Sequence, residues 1–309
     1  MKTKSATILA TLTIMALAST PSGAAPLVIG EMMQRYNVIT TGNATLGFEI
    51  EGRTWVGGLA TIPRTIQFGF NTVIPVSDYS LIVGNGISSN SVQNINQGSV
   101  LTRLPTTTRF NFNSGGTLQT GDTAYNAFQA AVGWTPATLA AGFSSLSSQL
   151  DAMLVNGTVN SSDSNNFRIT GNSSSAISVV DIAATSLTAA RGITLNPNGS
   201  RLVVVNVHGT SGTFQANFLG GSQAAAPNFL WNFVDATSLN LTGSRWNGTI
   251  LAPLADVNAL RGIDGGMFSK GLTLGDEAHY RPLVTVIPEP STLGLMAASL
   301  LLLLKRRRS

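Results

Sequence analysis

Glu49 and Glu51 are the side chains of this sequence whose spacing best suits polysaccharide cleavage. They are two residues apart, so on a β-strand both carboxylates would point to the same side. Glycosidases work with two carboxylates, one of which acts as a general acid. Glu51 is followed by Gly52, however, and at such a turn a solvated or hydrogen-bonded carboxylate is the commoner case. A polysaccharide-cleaving enzyme is therefore kept only as an alternative, and no catalytic residue is predicted.

Two histidines, His208 and His279, are the candidates for metal binding. His208 precedes a glycine at a predicted strand end, where a hydrogen-bonded histidine is commonest. Asp276, Glu277 and His279 could together ligate a metal ion. Adjacent polar residues on a terminal loop mostly face water, and no second histidine cluster completes a zinc site. We therefore predict no metal and no cofactor.

The aromatic residues Trp55, Trp231, Trp246 and Phe268 could stack on sugar rings. All except Trp246 lie within apolar patterns, which favours a place in the core. Trp246 stands between an arginine and an asparagine, so we expect it to be the most exposed of the four.

A secretory signal is predicted at residues 1–24. Lys2 and Lys4 form a basic start, and an apolar run follows them. Ser22 and Ala24 supply the small side chains that signal peptidase requires before the cut. The run is shorter than the ~20 residues of a transmembrane helix. Signal peptidase is therefore a predicted partner, and the chain is predicted to be exported.

A second targeting segment is predicted at residues 287–309. Its apolar run, 292–304, would cross ~20 Å of a ~30 Å hydrocarbon layer, so it makes a marginal transmembrane helix. Two prolines interrupt regular hydrogen bonding just before the run, and the basic residues after it favour a cytoplasmic end. The flanking residues are Pro288, Glu289, Pro290, Lys305, Arg306, Arg307 and Arg308.

This three-part tail resembles the PEP-CTERM sorting signal of Gram-negative bacteria. The resemblance implies cleavage by an exosortase, a membrane enzyme, and a link to strains that make extracellular polysaccharide. A plain C-terminal anchor is the alternative. We expect a precursor held at the inner membrane that later reaches the cell surface or the extracellular matrix.

The basic charge of the chain belongs to these two ends. Six of its 18 Lys and Arg residues lie there, with one of its 14 Asp and Glu residues, Glu289, which leaves 12 against 13, a net charge of about −1. No basic stripe remains for nucleic acid, and we predict membrane contact only through the tail. The chain has no cysteine, so an exported form depends on core burial and backbone hydrogen bonds.

Short apolar segments separated by turn residues predict a mainly β fold. A strand is predicted at Tyr36–Thr40, and residues 201–207 are apolar enough to be buried on both sides. Charged residues make up 10% of the chain, well below the usual quarter, and uncharged polar residues replace them. Such a surface with many β-branched residues favours long sheets or solenoids.

One helical insert is predicted at about 122–154, where apolar residues recur every three or four positions. Asp122 or Thr123 would cap its first helix. Thr135, followed by Pro136, would cap its second helix.

An internal echo indicates a repeated coil. The segments 50–59 and 263–272 share the order Ile, acid, Gly, two residues, aromatic, two residues, Gly, Leu. We therefore predict that 25–286 form a β-solenoid of the right-handed β-helix type, with the helical insert packed alongside. The signal helix and the transmembrane helix would lie outside this fold.

Several motifs together resemble the choice-of-anchor A domain of bacterial surface proteins, over residues 29–281. The residues that carry the resemblance include Glu51, Gly52, Arg53, Gly57, Gly58, Trp231, Pro253, Gly265 and His279. The resemblance implies a β-solenoid with adhesive or matrix roles and no settled biochemical activity. The segment 248–274 also resembles the closing coils of bacterial ice-binding solenoids, which place one long helix beside a right-handed β-helix.

These observations predict an exported, non-enzymatic surface protein. It would bind extracellular polysaccharide or another cell surface through a flat polar face rich in Thr, Ser and Asn. Ice binding is a second alternative, for which the sequence offers only a few threonine runs. The threonine runs at 40–41 and 106–108 do not repeat at a fixed spacing.

Overall fold

The computed structural model describes residues 28–285, which form a mainly β structure with parallel sheets and few helices. The α-helices of this range are α1 (Ile29–Arg35), α2 (Asp122–Val132), α3 (Pro136–Asp151), α4 (Ala184–Ala189) and α5 (Ser222–Ala225).

The β-strands of the same range fall into two groups, before and after the helices α2 and α3. The first group is β1 (Tyr36–Thr40), β2 (Ala44–Leu46), β3 (Arg53–Val56), β4 (Ala60–Thr61), β5 (Gln67–Phe68), β6 (Tyr79–Val83), β7 (Ile87–Ser88), β8 (Gln93–Ile95), β9 (Ser99–Thr102), β10 (Phe110–Phe112) and β11 (Leu118–Thr120). The second group is β12 (Thr158–Asn160), β13 (Phe167–Thr170), β14 (Ile177–Ala183), β15 (Gly192–Asn196), β16 (Leu202–His208), β17 (Ser211–Phe214), β18 (Asn217–Phe218), β19 (Phe229–Phe233), β20 (Ser238–Leu241), β21 (Trp246–Asn247), β22 (Thr249–Ala259), β23 (Ile263–Asp264), β24 (Met267–Leu274) and β25 (Ala278–His279).

Parallel pairing dominates the structure. Among the described strands, only β12 and β13 pair in the antiparallel direction. Parallel neighbours must be joined by a connection that returns to the same end of the sheet. The chain therefore leaves each set of strands, contributes to the other sets and then comes back beside its own earlier strand.

Three sets of strands result from this path. The covered face, named for the helices that lie on it, has the order β11-β9-β6-β3-β1-β24-β22-β19-β16-β14. The bare face has the order β17-β20-β22-β24-β2-β4-β7. The third face combines β12-β13-β15-β18, β21-β23-β25 and β5-β8-β10, with Ile50 bridging β25 and β5.

Two apolar clusters hold these sets together. The larger cluster joins inward side chains of all three faces, such as Val38, Ala44 and Ile50. The smaller cluster lies between the covered face and the helices, and it contains Phe143 of α3 against Phe268 of β24. With no cysteine in the chain, these two clusters and the strand ladders are the sources of stability.

The predicted helical insert is confirmed as two helices, α2 and α3. Gly133 ends α2 in the left-handed conformation. Thr135 accepts a hydrogen bond from the Thr138 N–H, and Pro136 occupies the first position of α3, as predicted. The prediction that Asp122 or Thr123 caps α2 is wrong, because Gly121 occupies that position and no side chain caps the helix. The short helices α1, α4 and α5 were not predicted.

The first strand of the domain lies in the middle of the covered face. β1 pairs with β24 on one side and with β3 on the other, so the early and late parts of the domain meet there. We call this meeting of the early and late parts at β1 the seam. The two segments of the internal echo, 50–59 and 263–272, occupy equivalent positions on either side of it. Ile50 and Ile263 both pair with β25, and Trp55 and Phe268 both pair with Ile39.

Within residues 28–285, no helix is long and apolar enough to cross a membrane. The signal peptide predicted at 1–24, with its cleavage site, lies outside the described residues. The sorting tail predicted at 287–309, with its transmembrane segment 292–304, lies outside them as well.

Candidate functional site

Two long strands, β22 and β24, take part in both the covered and the bare face. Their pairing register shifts between Ala252 and Asp256, which marks the passage from one face to the other. The first halves of both strands lie under the helices, and the second halves lie on the bare face. The bare face is therefore continuous, through β22 and β24, with the buried part of the covered face.

Outward side chains of the covered face are apolar at its centre. Leu251, Phe268, Ile39 and Trp55 follow one another across neighbouring strands, and each is 0% exposed. The ring of Trp55 lies 4.9 Å from that of Phe128 in α2, in an edge-to-face arrangement. This row serves packing, and no ligand can reach it.

Outward side chains of the bare face form an uninterrupted polar row. Each residue pairs with the next across adjacent parallel strands, so successive side chains stand ~4.8 Å apart. All of them are exposed or half-exposed. In spatial order the row is Thr213, Asn240, Asn258, Thr273, Thr45, Thr61 and Ser88.

A trough runs along the polar row, from Asn240 to Thr61. It is lined by Asn43, Leu59, Asp256 and Gly271, among others. A side chain at Gly271 would place its Cβ 2.4 Å from Asp256 Oδ1, so the glycine leaves room for that carboxylate to lie across the trough. Lys270 Nζ lies 3.1 Å from Asp256 Oδ2, which balances the negative charge.

The chemistry of the bare face is that of hydroxyls and amides. Asn258 Nδ2 donates to Asn240 Oδ1 at 3.3 Å, and no described residue donates to Asn258 Oδ1. Hydroxyl and amide groups both donate and accept hydrogen bonds. With one carboxylate matched by one ammonium group, the face suits an uncharged, hydroxyl-rich ligand better than a strongly charged one.

The match to a protein family covers almost all of the described residues. A family model for an ice-binding-like adhesive domain matches residues 29–280. The chain belongs to this family. Among solved structures, the ice-binding protein of the Antarctic ascomycete Antarctomyces psychrotrophicus is similar, with 14% identity and a TM-score of 0.35. That match covers 86% of this chain and 100% of the other. No curated protein matches the chain.

Membership of the ice-binding-like adhesive family places the chain among extracellular or surface proteins. The family is described as an adhesive domain, and its description includes no enzymatic activity. The polar row on the bare face is therefore best interpreted as a contact surface.

Four of the residues that carried the sequence resemblance meet at the seam, around the buried side chain of Asn37. Asn37 Nδ2 donates to Gly265 O at 2.7 Å and to His279 O at 3.3 Å, and its Oδ1 accepts from the Gly52 N–H at 3.1 Å. Glu51 lies next to this group. The motif residues thus join the early and late parts of the domain.

Glu51 uses both carboxylate oxygens within the fold. One accepts from the Tyr280 N–H at 2.8 Å, and the other accepts from Asn71 Nδ2 at 2.9 Å. Neither Glu49 nor Glu51 lies in a strand, so the arrangement that the enzymatic alternative required, two carboxylates on one side of a strand, does not occur. The bend at Gly52 is the reason, and it agrees with the predicted turn.

Arg53 belongs to an ion cluster at the edge of the covered face. Its guanidinium lies 2.9 Å from Asp78 Oδ2, which also contacts Arg35. Burial by itself raises the pKa of Asp78, but Arg53, the Tyr79 N–H and Arg35 outweigh burial and hold this pKa below its usual value. The cluster fastens α1 and β3 to the segment before β6.

His279 is partly buried, so the prediction that it faces water is wrong. β25 pairs with β23, and this pairing brings His279 Nδ1 to 3.2 Å from Asp264 Oδ1. His279 Nε2 lies 2.8 Å from Glu277 Oε2. Within residues 28–285, no group of three or more acidic, histidine or cysteine side chains is placed to hold a metal ion.

Gly57 and Gly58 follow β3 at a corner of the fold, where the chain approaches itself closely. A Cβ at Gly57 would lie 2.4 Å from the Thr41 carbonyl oxygen, so only glycine fits there. Pro253 lies in β22 between the two halves of that strand.

Trp246 is 3% exposed, so the prediction that it is the most exposed tryptophan is wrong. It begins β21 and points inward, with its ring 4.9 Å from that of Trp231 and 5.3 Å from that of Phe218. Its polar neighbours in the sequence, Arg245 and Asn247, hid this inward position, although Asn247 is buried as well. Trp55, Trp231 and Phe268 are buried, as predicted.

Sequence reasoning anticipated a polar face rich in Thr, Ser and Asn but chose the wrong threonines. Thr40 is buried in β1, and residues 106–108 lie outside the strands. The four threonines of the row come from four strands on both sides of the helices α2 and α3. Three of them, Thr45, Thr61 and Thr273, lie between two buried residues. That alternation was the available signal, as in Ala44, Thr45 and Leu46.

Proposed function

We propose that this chain is an exported, non-enzymatic adhesive protein whose bare face attaches to a hydroxyl-rich polysaccharide. The polar row from Thr213 to Ser88 carries the proposal, because it presents hydrogen-bonding side chains at a regular spacing on a rigid support. A polysaccharide presents hydroxyl groups at regular intervals and can meet several members of the row at once. Weak contacts then add up through multivalency.

The three faces are the sides of a β-solenoid of the right-handed β-helix type in this proposal. Parallel pairing in every described pair except one supports it, as does the equivalent placement of the two echoed segments. A solenoid is suited to adhesion because its sides are long and flat and each coil repeats the contacts of the last.

The trough beside the polar row favours a sugar chain over ice. Gly271 leaves a depression in the surface, and Asp256 and Leu59 line it. A sugar ring has an apolar side and hydroxyl edges, which match Leu59 and Asp256 respectively. A flat ice surface has no group that would fill the depression.

Replacement of Thr45 and Thr61 together by lysine tests the bare face, because bulk and charge would then block the centre of the row. Binding is measured by affinity electrophoresis in gels that contain a neutral β-glucan, xylan or polygalacturonate. We expect the wild type to be retarded and the double variant to migrate freely. Asn94 and Asn111, which pair on the third face, provide the matched control when both are changed to lysine. Retardation of both variants equally, or of no protein in any gel, would contradict the proposal.

Ice binding is the second candidate, favoured by three adjacent threonines, Thr273, Thr45 and Thr61, in a chain of the ice-binding-like adhesive family. Thermal hysteresis in a nanolitre osmometer separates the two functions. Hysteresis that disappears in Thr45→Lys would establish ice binding and remove the preference for polysaccharide.

The proposed route to the surface uses both ends of the chain. Signal peptidase removes residues 1–24 after Ala24, and the tail 287–309 acts as a PEP-CTERM signal that an exosortase cleaves near Pro288. The chain is then a choice-of-anchor A type surface protein, tethered to the inner membrane as a precursor and later placed at the cell surface or in the matrix. The sequence of the tail and the adhesive family support this route.

Mass spectrometry of the protein recovered from its producing cells tests the route. We expect an N-terminus at Ala25 and a C-terminus near Pro288. A mature protein that retains Lys305 to Arg308 would show a permanent anchor instead.

A further inference from the structure

The trough on the bare face has a direction, which the strand register sets. Its lining residues come from five neighbouring strands, β20, β22, β24, β2 and β4, and from the residues directly before β2 and β4. From Asp256 onward these strands pair in parallel and in continuous register. The trough therefore runs straight across the strands, and the four intervals between five strands of ~4.8 Å each give it a length of ~19 Å.

One wall of the trough is the polar row. Each of the five strands contributes one member of the row to this wall. Hydroxyl groups and side-chain amides both donate and accept hydrogen bonds, so the wall can bind a ligand hydroxyl in either orientation at every strand. The five residues are Asn240, Asn258, Thr273, Thr45 and Thr61.

A second row lies two residues earlier along the same strands, so its side chains point to the same side of the sheet as the polar row. Ser238, Asp256 and Gly271 pair in that order, and Asn43 and Leu59 directly precede β2 and β4. A serine and a glycine are among the smallest residues, and they leave the space between the rows open. The second row thus makes a depression where a row of large side chains would make a ridge.

The floor of the trough is main chain. Leu239, Val257 and Leu272 also line it, although their side chains are no more than 4% exposed and point into the core. They contribute backbone whose N–H and C=O groups are used in the ladders between parallel strands. Such a floor is flat and has few free hydrogen-bonding groups, which suits the C–H side of a sugar ring.

The charges of the trough favour a neutral ligand. Asp256 Oδ2 lies 3.1 Å from Lys270 Nζ, and this contact leaves Asp256 Oδ1 to accept from a ligand hydroxyl. A carboxylate accepts hydrogen bonds but cannot donate them when it is ionised. The carboxylates of an acidic polysaccharide would therefore be repelled at the middle of the trough, whereas the hydroxyl groups of a neutral one can bind there.

We propose, as a refinement that rests on the proposed attachment to polysaccharide, that the trough holds a neutral, extended β-1,4-linked chain, with one sugar ring over each strand. In such a chain every ring is turned over relative to the last, which makes a straight, flat ribbon whose rings follow one another at nearly the strand spacing of ~4.8 Å. Successive rings present different hydroxyl groups to the wall, and the hydroxyls and amides of the polar row can bind either kind. Chains with β-1,3 or α-1,4 links curve into wide helices, so only a short part of one fits a straight trough.

Oligomers that differ only in linkage test this proposal. Titration calorimetry of the full chain is carried out with β-1,4-linked and with β-1,3-linked glucose oligomers of two to six rings. For the β-1,4 series we expect Kd to fall at least ~10-fold between two and five rings, which is about the effect of one or two net hydrogen bonds. The sixth ring should add little, because the trough ends after five strands. The β-1,3 series should gain much less from length.

The outcomes separate this inference from the proposed function. Equal gains in the two series, or a Kd that does not fall with length in the β-1,4 series, would overturn the extended chain but leave the bare face as a polysaccharide surface. Failure of every oligomer to bind, together with free migration in every polysaccharide gel, would remove the proposed function as well.

Variants in the second row locate the chain without changing the polar row. Gly271→Val fills the middle of the trough and should weaken binding of the five-ring β-1,4 oligomer at least ~10-fold, since the rings on both sides of the block lose contact with the wall. Ser211→Leu is the matched control, because Ser211 pairs with Ser238 one strand beyond the trough. Its Kd should equal that of the wild type.

Ser238→Leu keeps the test decisive if circular dichroism shows that Gly271→Val does not fold. Ser238 is exposed at the end of the trough, so leucine is tolerated there and blocks only the last ring. The gain in affinity with length should then stop at four rings. Wild-type affinity and the wild-type dependence on length in Ser238→Leu, or wild-type affinity in a folded Gly271→Val, would refute the proposal.

Discussion

The covered face and the bare face share two strands, β22 and β24, whose two halves serve opposite purposes. β22 contributes Leu251 to the first and Asn258 to the second, and β24 contributes Phe268 and Thr273 in the same way. In both halves of each strand, side chains alternate between the core and the outside. The difference is that α3 lies over one outside surface, whereas no helix of residues 28–285 lies over the other. A strand of this fold can therefore serve stability and recognition within a few residues.

Polar residues also differ between the two faces. On the covered face, Asn232 Nδ2 donates to the Ser147 carbonyl and to Asn206 Oδ1, both at 2.9 Å, and Ser147 Oγ donates to Asn232 Oδ1 at 2.6 Å. On the bare face, Asn240 has one weak hydrogen bond, to Asn258. Buried amides are saturated and fix the position of α3, whereas exposed amides remain available to a ligand.

Phe268→Ala should show the largest effect, because Phe268 is 0% exposed between β24 and α3. Truncation of a buried phenylalanine costs about 3–5 kcal/mol. Thr273→Ala, five residues along the same strand, should change the free energy of unfolding by less than ~0.5 kcal/mol. Urea denaturation of the two variants measures the contrast. Similar losses in both would show that the bare face is also covered in solution.

Asn232→Ala should have the next largest effect. It leaves Ser147 and Asn206 without their partner under α3, and a buried polar group left unpaired costs about 1–3 kcal/mol. Asn240→Ala on the bare face is the matched control and should be nearly neutral. Hydrogen exchange would localise the loss, with faster exchange in α3 for the first variant only. Unchanged protection of α3 in Asn232→Ala would contradict this account of how the helix is held.

The ion cluster at the edge of the covered face predicts a pH dependence. The pKa of Asp78 is lower in the folded protein than its usual value of about 4, so its stabilising contribution is complete above that pH. The contribution is lost as the pH falls through the lowered folded pKa. Denaturation midpoints at pH 7 and at pH 3 measure this, and Asp78→Asn should reduce the difference between them. An identical pH dependence in the wild type and the variant would exclude a role for Asp78.

Thr61→Val should have the smallest effect on stability, within ~0.5 kcal/mol, because Thr61 is half-exposed at the centre of the bare face. Valine keeps the shape and the β-propensity of threonine but removes the hydroxyl group. We expect weaker retention on polysaccharide at an unchanged unfolding midpoint. Full retention would move the contact to another part of the row, and a large loss of stability would show that Thr61 is structural.

Local patterns were enough to predict much of the fold. The strand at Tyr36–Thr40 and both helices of the insert were predicted, because apolar spacing, a threonine cap and Pro136 act within a few residues. Residues 201–207 were expected to be buried on both sides. This is confirmed for 202–207, whereas Arg201, just before the strand, is exposed. The positions of Trp246 and His279 were not predicted, since each depends on a neighbouring strand that is distant in the sequence.

The residues of the polar row could not be predicted from the sequence. Thr45 and Thr273 are neighbours in space but come from β2 and β24, at opposite ends of the described chain. Their pairing depends on β1 being inserted beside β24, and no local pattern specifies such a register. The composition predicted a polar face. Which residues form it depends on how distant strands pair in the assembled sheets.

The sequence by itself determined which side chains point inward, because alternation along a strand follows from the backbone geometry. It also determined a fold without disulfides and with few charges. Only the tertiary structure decided which outward surface would be covered, since that depends on where α2 and α3 lie relative to strands from both parts of the chain.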